Sequence, residues 1–291
     1  LPPLAEQKRI VAKVDELMAL CDQLDAQHVE RQQRRQTLTR AAIARFTADP
    51  TIANLQYLFD PDYALDPEDL RKVILSLAVR GKLVKQDPKD ESVEKKYLQE
   101  PKSEIYPFNW RVLNFGKYCD IQGGNQPEKS QFIDEPKKGY IRLYQIRDLG
   151  DKPVPTYIPE KTVSRYCHVG EILIGRYGAS VGKVFWAQEG AYNVALAKFI
   201  YPEDAYFSGF VFWMLKSKVF QRHLSGASRS AQAGFNKGDL SSIGFPLPPL
   251  AEQKRIVAKV DELMALCDQL DAQMEDARKV AERVVLSIVG V

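Results

Sequence analysis

Four short stretches concentrate the side chains that could do chemistry. They are residues 122–127 (QGGNQP), 147–152 (RDLGDK), 175–183 (GRYGASVGK) and 225–237 (SGASRSAQAGFNK). Arg and Lys present paired donors that match guanine, and Asn and Gln present a donor beside an acceptor that matches adenine. Lys, Arg, Ser and backbone N–H groups suit phosphate oxygens. The reading therefore nominates Gln122, Asn125, Arg142, Gln145, Arg147, Arg176, Tyr177, Ser180, Lys183, Arg229, Gln232, Asn236 and Lys237 as contacts to duplex DNA. The glycines between them allow tight turns and close backbone approach.

Covalent chemistry finds weaker support. Gly178 to Lys183 approaches a phosphate loop, but Tyr177 stands where that loop needs glycine, and Val184 where it needs a hydroxyl for Mg²⁺. Asp90, Glu94 and Lys96 have nuclease-like residue types. Their spacing is compressed, and a charge run without an apolar strand reads as a solvated face. No Asn-Pro-Pro-aromatic or F-x-G-x-G methyltransferase motif is present, and His28, His168 and His223 have no partner the sequence can place. The four cysteines form no CxxC pair, so neither a zinc site nor any other metal site is expected. Reduced thiols suit a cytoplasmic setting. The sequence begins Leu1-Pro2-Pro3, without an initiator Met or a basic-then-apolar leader, and is read as a processed chain or a fragment. No run of apolar residues is long enough to span a membrane, so none is expected as a partner.

The elements that must position these loops are organised by a repeat. Residues 1–27, LPPLAEQKRIVAKVDELMALCDQLDAQ, recur without change at 247–273. The repeat brackets a central segment of different character. Residues 104–246 carry 18 Lys+Arg against 13 Asp+Glu, a net +5 that leaves −2 for the flanks of a chain whose total is +3. A mildly basic centre is compatible with a nucleic-acid face.

The repeat reads as a helix, with proline in its first turn and no Gly or further Pro until Gly290. Ile256, Val260, Leu263, Cys267, Leu270, Met274, Ala277, Ala281, Val284 and Ile288 follow steps of four and three, the 3.5-residue period of a coiled-coil seam. About 40 such residues make a rod of roughly 60 Å. The first copy begins the same seam with Ile10, Val14, Leu17, Cys21 and Leu24, then meets His28, Arg31 and Arg35. A coiled-coil or partner interface is accordingly assigned to Ile10, Val14, Leu17, Leu24, Ile256, Val260, Leu263, Leu270, Met274, Val284 and Ile288.

Between the arms, Asp66-Pro67-Glu68-Asp69 has the order of an N-cap, a first-turn proline and first-turn acids, opening a short helix that Arg80-Gly81-Lys82 ends. Residues 85–103 read as a solvated linker or short helix. From about Ile105, strands are expected at 140–146, 171–174, 183–187 and 197–201, and one buried helix at 210–224. The fold class is α+β: one compact mixed α/β domain carried between long coiled-coil helices. The expected layout is a long helix at 1–46, a connection at 47–103, the recognition domain at 104–246 and a second long helix at 247–291.

These residues carry a family resemblance. SAQAGFNKGDLSSIGFPLPPLAEQKRIV at 230–257, Trp110-Arg-Val-Leu113, Gly170-Glu-Ile-Leu-Ile-Gly175 and LRKVILSLAVRGKL at 70–83 resemble the specificity subunit of type I restriction–modification systems. The family layout is recognition domain, conserved helix, second recognition domain, second conserved helix. This sequence starts at the first conserved helix and holds one recognition domain, so it resembles half of such a subunit. The resemblance implies a protein that is not itself an enzyme and that reads half of a bipartite site in double-stranded DNA. It also implies a methyltransferase subunit that uses S-adenosylmethionine and an ATP- and Mg²⁺-dependent restriction subunit as partners. The chain itself is then expected to hold no cofactor, and a homodimer would restore two recognition domains. The alternative reading is a structural coiled-coil interaction module without DNA binding.

Overall fold

In the computed structural model, residues 2–49, 51, 53–54, 66–91, 93–149, 152–224 and 234–289 are described, the side chains of 285, 286, 288 and 289 excepted. The chain divides into two compact units, Leu1–Leu70 with Gln269–Val291, and Arg71–Asp268.

The first unit is built on helix α1 (Leu4–Ala48). Pro3 precedes it, and its carbonyl accepts from Glu6 N at 2.8 Å and Gln7 N at 3.0 Å. Proline therefore serves at the cap, where the missing N–H is not needed, rather than inside the first turn. Only Ala42 and Phe46 are buried among the described residues of α1. Most of the connection at 48–66 lies outside the described residues.

Helix α2 (Pro67–Ala78) begins as its sequence predicts, with Asp66 Oδ1 accepting from Glu68 N at 2.8 Å. It ends in a Schellman turn. Lys82 N donates to Leu77 O at 2.9 Å, Gly81 N donates to Ala78 O at 3.2 Å, and Gly81 takes the left-handed φ of 69° that favours glycine. Leu70, Ile74, Leu77 and Ala78 form its buried face.

The second unit holds three sheets. Strand β1 (Arg111–Asn114) leads through the short helix α3 (Phe115–Tyr118) to β2 (Asp120–Gly123). Then come β3 (Tyr140–Tyr144), β4 (Tyr157–Pro159), β5 (Tyr166–Cys167), β6 (Ile172–Gly175), β7 (Val184–Trp186), β8 (Gly190–Tyr192) and β9 (Leu196–Ile200). Helices α4 (Ser208–Lys216), α5 (Lys218–Leu224) and α6 (Lys237–Leu240) precede β10 (Gly244–Leu247) and the long α7 (Leu250–Val289).

One sheet runs β2-β9-β6-β7 and a second β4-β3-β8-β5. Strand β6 is central and buried at all four positions, which explains its unbroken apolar run. The third sheet is a ribbon of β1 against β10, pairing Arg111 with Leu247 and Leu113 with Phe245. It holds the domain's first and last strands side by side, and Pro246 is tolerated because a two-stranded ribbon is all edge.

Two expectations change and one is met in part. The single helix at 210–224 is two, broken at Ser217, which is extended, fully buried, and donates its hydroxyl to Met214 O at 2.6 Å. The described residues of 85–103 are mostly exposed and include a short 3-10 helix at Lys95–Tyr97, but the segment is also pinned to the fold. Asp90 makes a bidentate pair with Arg255, both bonds 2.7 Å, and Val93 and Tyr97 are buried. Ile256, Val260 and Leu263 belong to the core of the second unit instead of a free seam. Burial there removes the same apolar area from water that a coiled-coil partner would have removed.

Candidate nucleic-acid interface

Arg176 gathers three of the polar segments. Its backbone N–H donates to Ala195 O at 2.9 Å, and its Nε donates to Phe235 O at 3.0 Å. A Cβ on Gly123 would lie 3.0 Å from Arg176 Nη1, so glycine at 123 makes room for the guanidinium. The same cation sits 5.2 Å from the centroid of the Tyr177 ring. Beside it Lys237 pairs with Asp120 at 2.9 Å. The ends of β2 and β6 and the start of α6 therefore converge on one surface.

The 175–183 turn is held internally. Gly182 N donates to Gly175 O at 2.9 Å and Lys183 N to Ser180 O at 3.0 Å. Gly178 and Gly182 take positive φ of 61° and 82°. This leaves Tyr177 and Lys183 exposed and Ser180 half-buried. Lys183 has no ion pair among the described residues. It can meet an anion without first breaking a protein contact.

Other nominated residues brace the fold. Asn125 is buried, and its Oδ1 accepts from Ser164 N at 2.9 Å, Ser164 Oγ at 3.1 Å and Arg165 N at 3.0 Å. Its amide donates to Arg165 O at 2.7 Å and Tyr192 O at 3.1 Å. No capacity remains for a base. Asn236 caps α6, accepting from Gly238 N at 2.7 Å within a capping box completed by Asp239. The Arg142 side chain is 15% exposed, lies 3.3 Å from Asp148, and stacks between Tyr144 and Tyr157 at 5.4 and 5.6 Å. Asn125 is thus fully committed to local structure, as buried polar groups must be, whereas Asn236 is exposed and Arg142 keeps a buried Nη1 without a hydrogen-bond partner among the described residues.

Gln122 lies on β2 rather than in a loop, with Oε1 accepting from Tyr192 Oη at 3.1 Å. Gln145 and Arg147 converge on Thr156 Oγ1 at 3.2 and 3.0 Å, though Arg147 stays exposed. Thr156 and Asp148, which hold this group, had no signal in residue spacing. Arg229 and Gln232 lie outside the described residues, as does the side chain of Ile288.

The identical repeats occupy different environments. Ile10, Val14 and Leu17 are 49, 50 and 49% exposed, while their counterparts Ile256, Val260 and Leu263 are 1, 0 and 0% exposed. In the second copy, Glu252 accepts from Trp110 Nε1 at 3.0 Å and Asp261 from Trp213 Nε1 at 2.8 Å. Gln253 receives Phe207 N at 2.8 Å, and Asp268 receives Arg71 at 2.5 Å. Further along α7, Leu270 is half-buried, and Met274 and Val284 are exposed. Leu24 is exposed on α1.

Burial pushes the Cys119 and Cys167 thiols up to about 12, which makes both poor nucleophiles. Among the described residues no group of three or more His, Cys, Asp or Glu could hold a metal ion, and no helix is long and apolar enough to cross a membrane.

The sheet-rich unit with its converging polar turns is a DNA specificity domain in class. The family described as type I restriction modification DNA specificity domain matches residues 107–277, more than half of the chain, and the chain belongs to it. It is 25% identical over 336 residues to the type I restriction enzyme EcoEI specificity subunit of Escherichia coli, covering 96% of this chain and 55% of that one. It is 28% identical over 290 residues to the EcoBI specificity subunit of Escherichia coli, covering 95% and 53%. The fold resembles a chain from a study of complex assembly and conformational transition of the type I R-M system, with TM-score 0.58, 24% identity, and coverage of 100% of this chain and 59% of that one. It also resembles the HsdS subunit from Thermoanaerobacter tengcongensis, with TM-score 0.53, 23% identity, and coverage of 100% and 58%. The chain spans about half the length of the curated relatives it matches.

Proposed function

We propose that this chain is a non-catalytic DNA sequence-recognition component of a type I restriction–modification enzyme, reading one half of a bipartite site. The observation that carries the reading is the convergence of β2, the 175–183 turn and the start of α6 around Arg176, with Tyr177 and Lys183 exposed beside it. A rigid turn with an uncommitted cation and an aromatic face suits a groove-contacting surface. Methylation then comes from a partner methyltransferase subunit using S-adenosylmethionine, and cleavage from a restriction subunit using ATP and Mg²⁺. The Gly178–Lys183 turn does not fit a nucleotide, since Val184 supplies no hydroxyl and is buried on β7. Four free thiols, three of them buried, are compatible with the reducing cytoplasm.

The exposed face of α1 supports an assembly of more than one recognition domain. The residues that grip Trp110, Trp213 and Arg71 in the second copy are repeated in the first as Glu6, Asp15 and Asp22. A second domain of this kind, in a homodimer or in one longer chain, would meet a complementary surface there.

The test is duplex binding by the purified chain, with and without the methyltransferase, over a salt series. Arg176→Ala and Lys183→Ala are expected to weaken binding with the far-ultraviolet circular dichroism unchanged. Failure of the wild-type chain to hold any duplex, even with the methyltransferase present, would favour a coiled-coil interaction module instead.

A further inference from the structure

Three cations converge away from the polar turns. Lys218 and Arg222 stand one helical turn apart on α5, both exposed. Like charges at that spacing repel by a few tenths of a kcal/mol, roughly 0.2–0.5, so helix stability does not explain them. Arg80 comes from the turn that closes α2 and is exposed as well. With Ser76, Val219 and Gln221 they line a concavity of about 440 Å³ that has no acidic residue in its wall. None of the three cations has an ion pair among the described residues. Arg80 and Arg222 both act on the Tyr106 phenol, opposing the burial that raises its pKa, so the two guanidiniums share one neighbourhood.

We propose that this concavity seats phosphate oxygens of a duplex backbone. Guanidinium groups match phosphate in a bidentate fork, and a concave wall concentrates the field of clustered charges. The position also fits. Gln221 donates to Gly182 O at 2.8 Å, which ties the helix bearing Lys218 and Arg222 to the turn bearing Tyr177 and Lys183. A backbone contact at α5 would set the register in which the neighbouring turn meets base edges. The inference rests on the DNA-binding reading and adds a seat that carries affinity without sequence preference.

The experiment compares the full chain with Arg80→Ala/Lys218→Ala/Arg222→Ala in anisotropy titrations of a randomised duplex at about 50 to 200 mM salt. Each phosphate contact contributes about 0.9 to the slope of log affinity against log salt, so the triple variant is expected to flatten it by about 2 to 3. Arg80→Lys/Arg222→Lys is expected to keep the slope, because the charge remains. An unchanged slope in a folded triple variant that still binds duplex overturns the seat and leaves the DNA-binding reading standing. A wild-type chain that binds no duplex overturns that reading and the seat with it. Inorganic phosphate raising the melting temperature of the wild type but not of the triple variant, with the duplex slope unchanged, marks a free-anion site and overturns the backbone assignment.

Discussion

The indole N–H of Trp110 donates to Glu252 Oε2 at 3.0 Å, and both side chains are buried. Gln86 donates to the other carboxylate oxygen at 2.5 Å. Residues 142 positions apart thereby tie the start of the domain to the start of α7. Glu252→Ala strands the buried Trp110 N–H, expected to cost about 1–3 kcal/mol, and removes the stronger bond of the half-buried Gln86 amide. Glu252→Gln is tolerated better, because Gln86 Oε1 is buried without a partner and can accept after an amide flip.

The same carboxylate predicts a pH effect. Burial raises the Glu252 pKa above 4.5, and the bonds from Trp110 and Gln86 oppose that rise. The folded state therefore holds a proton that the unfolded state has released in the interval above 4.5. Stability from this group is full below that interval and declines as pH rises through the folded value. Urea unfolding of wild type and Glu252→Gln across that range should show the wild type losing ground as pH rises. A constant difference between the two would sink the assignment.

Val14 and Val260 are the same residue in the same 27-residue sequence, one half-exposed and one fully buried. Val260→Asp places an unpaired charge in the core and is expected to cost more than about 4 kcal/mol. Val14→Asp should stay within about 0.5 kcal/mol in the isolated chain. If α1 is a docking face, it also lowers the mass measured by sedimentation. Equal destabilisation by chemical denaturation would mean that the two faces are covered alike.

Thiol labelling reads the same asymmetry. Cys21 is exposed, whereas Cys119, Cys167 and Cys267 are buried. A brief treatment of the native chain with a thiol reagent should modify Cys21 and spare the others, as peptide mass mapping would reveal. Early labelling of Cys267 would contradict the packing of α7.

Asn125→Ala removes an acceptor for three groups and a donor to two carbonyls. It is expected to lower stability by roughly 2–4 kcal/mol, from several lost bonds at about 1 kcal/mol each. Sequence preference in a binding selection should not change. A shift in the preferred bases without loss of melting temperature would restore Asn125 as a base contact.

Much of this was legible without coordinates because it is local. The Asp66 cap, the Gly81 stop, the long helices and the apolar run of β6 follow from hydrogen-bonding groups and side chains within a few residues of one another. The family motifs at 70–83, 110–113, 170–175 and 230–257 were legible for the same reason. What tertiary structure decided was which polar groups remain available. Asn125 has the right chemistry for a base, yet partners 39 to 67 positions away, brought to it by folding, consume it. The repeat makes the point within one chain. Ile10 and Ile256 have identical neighbours in sequence, and one is exposed while the other is in the core. Helical periodicity marks an apolar face, but burial of that face depends on a complementary surface from distant residues, which no local sequence encodes.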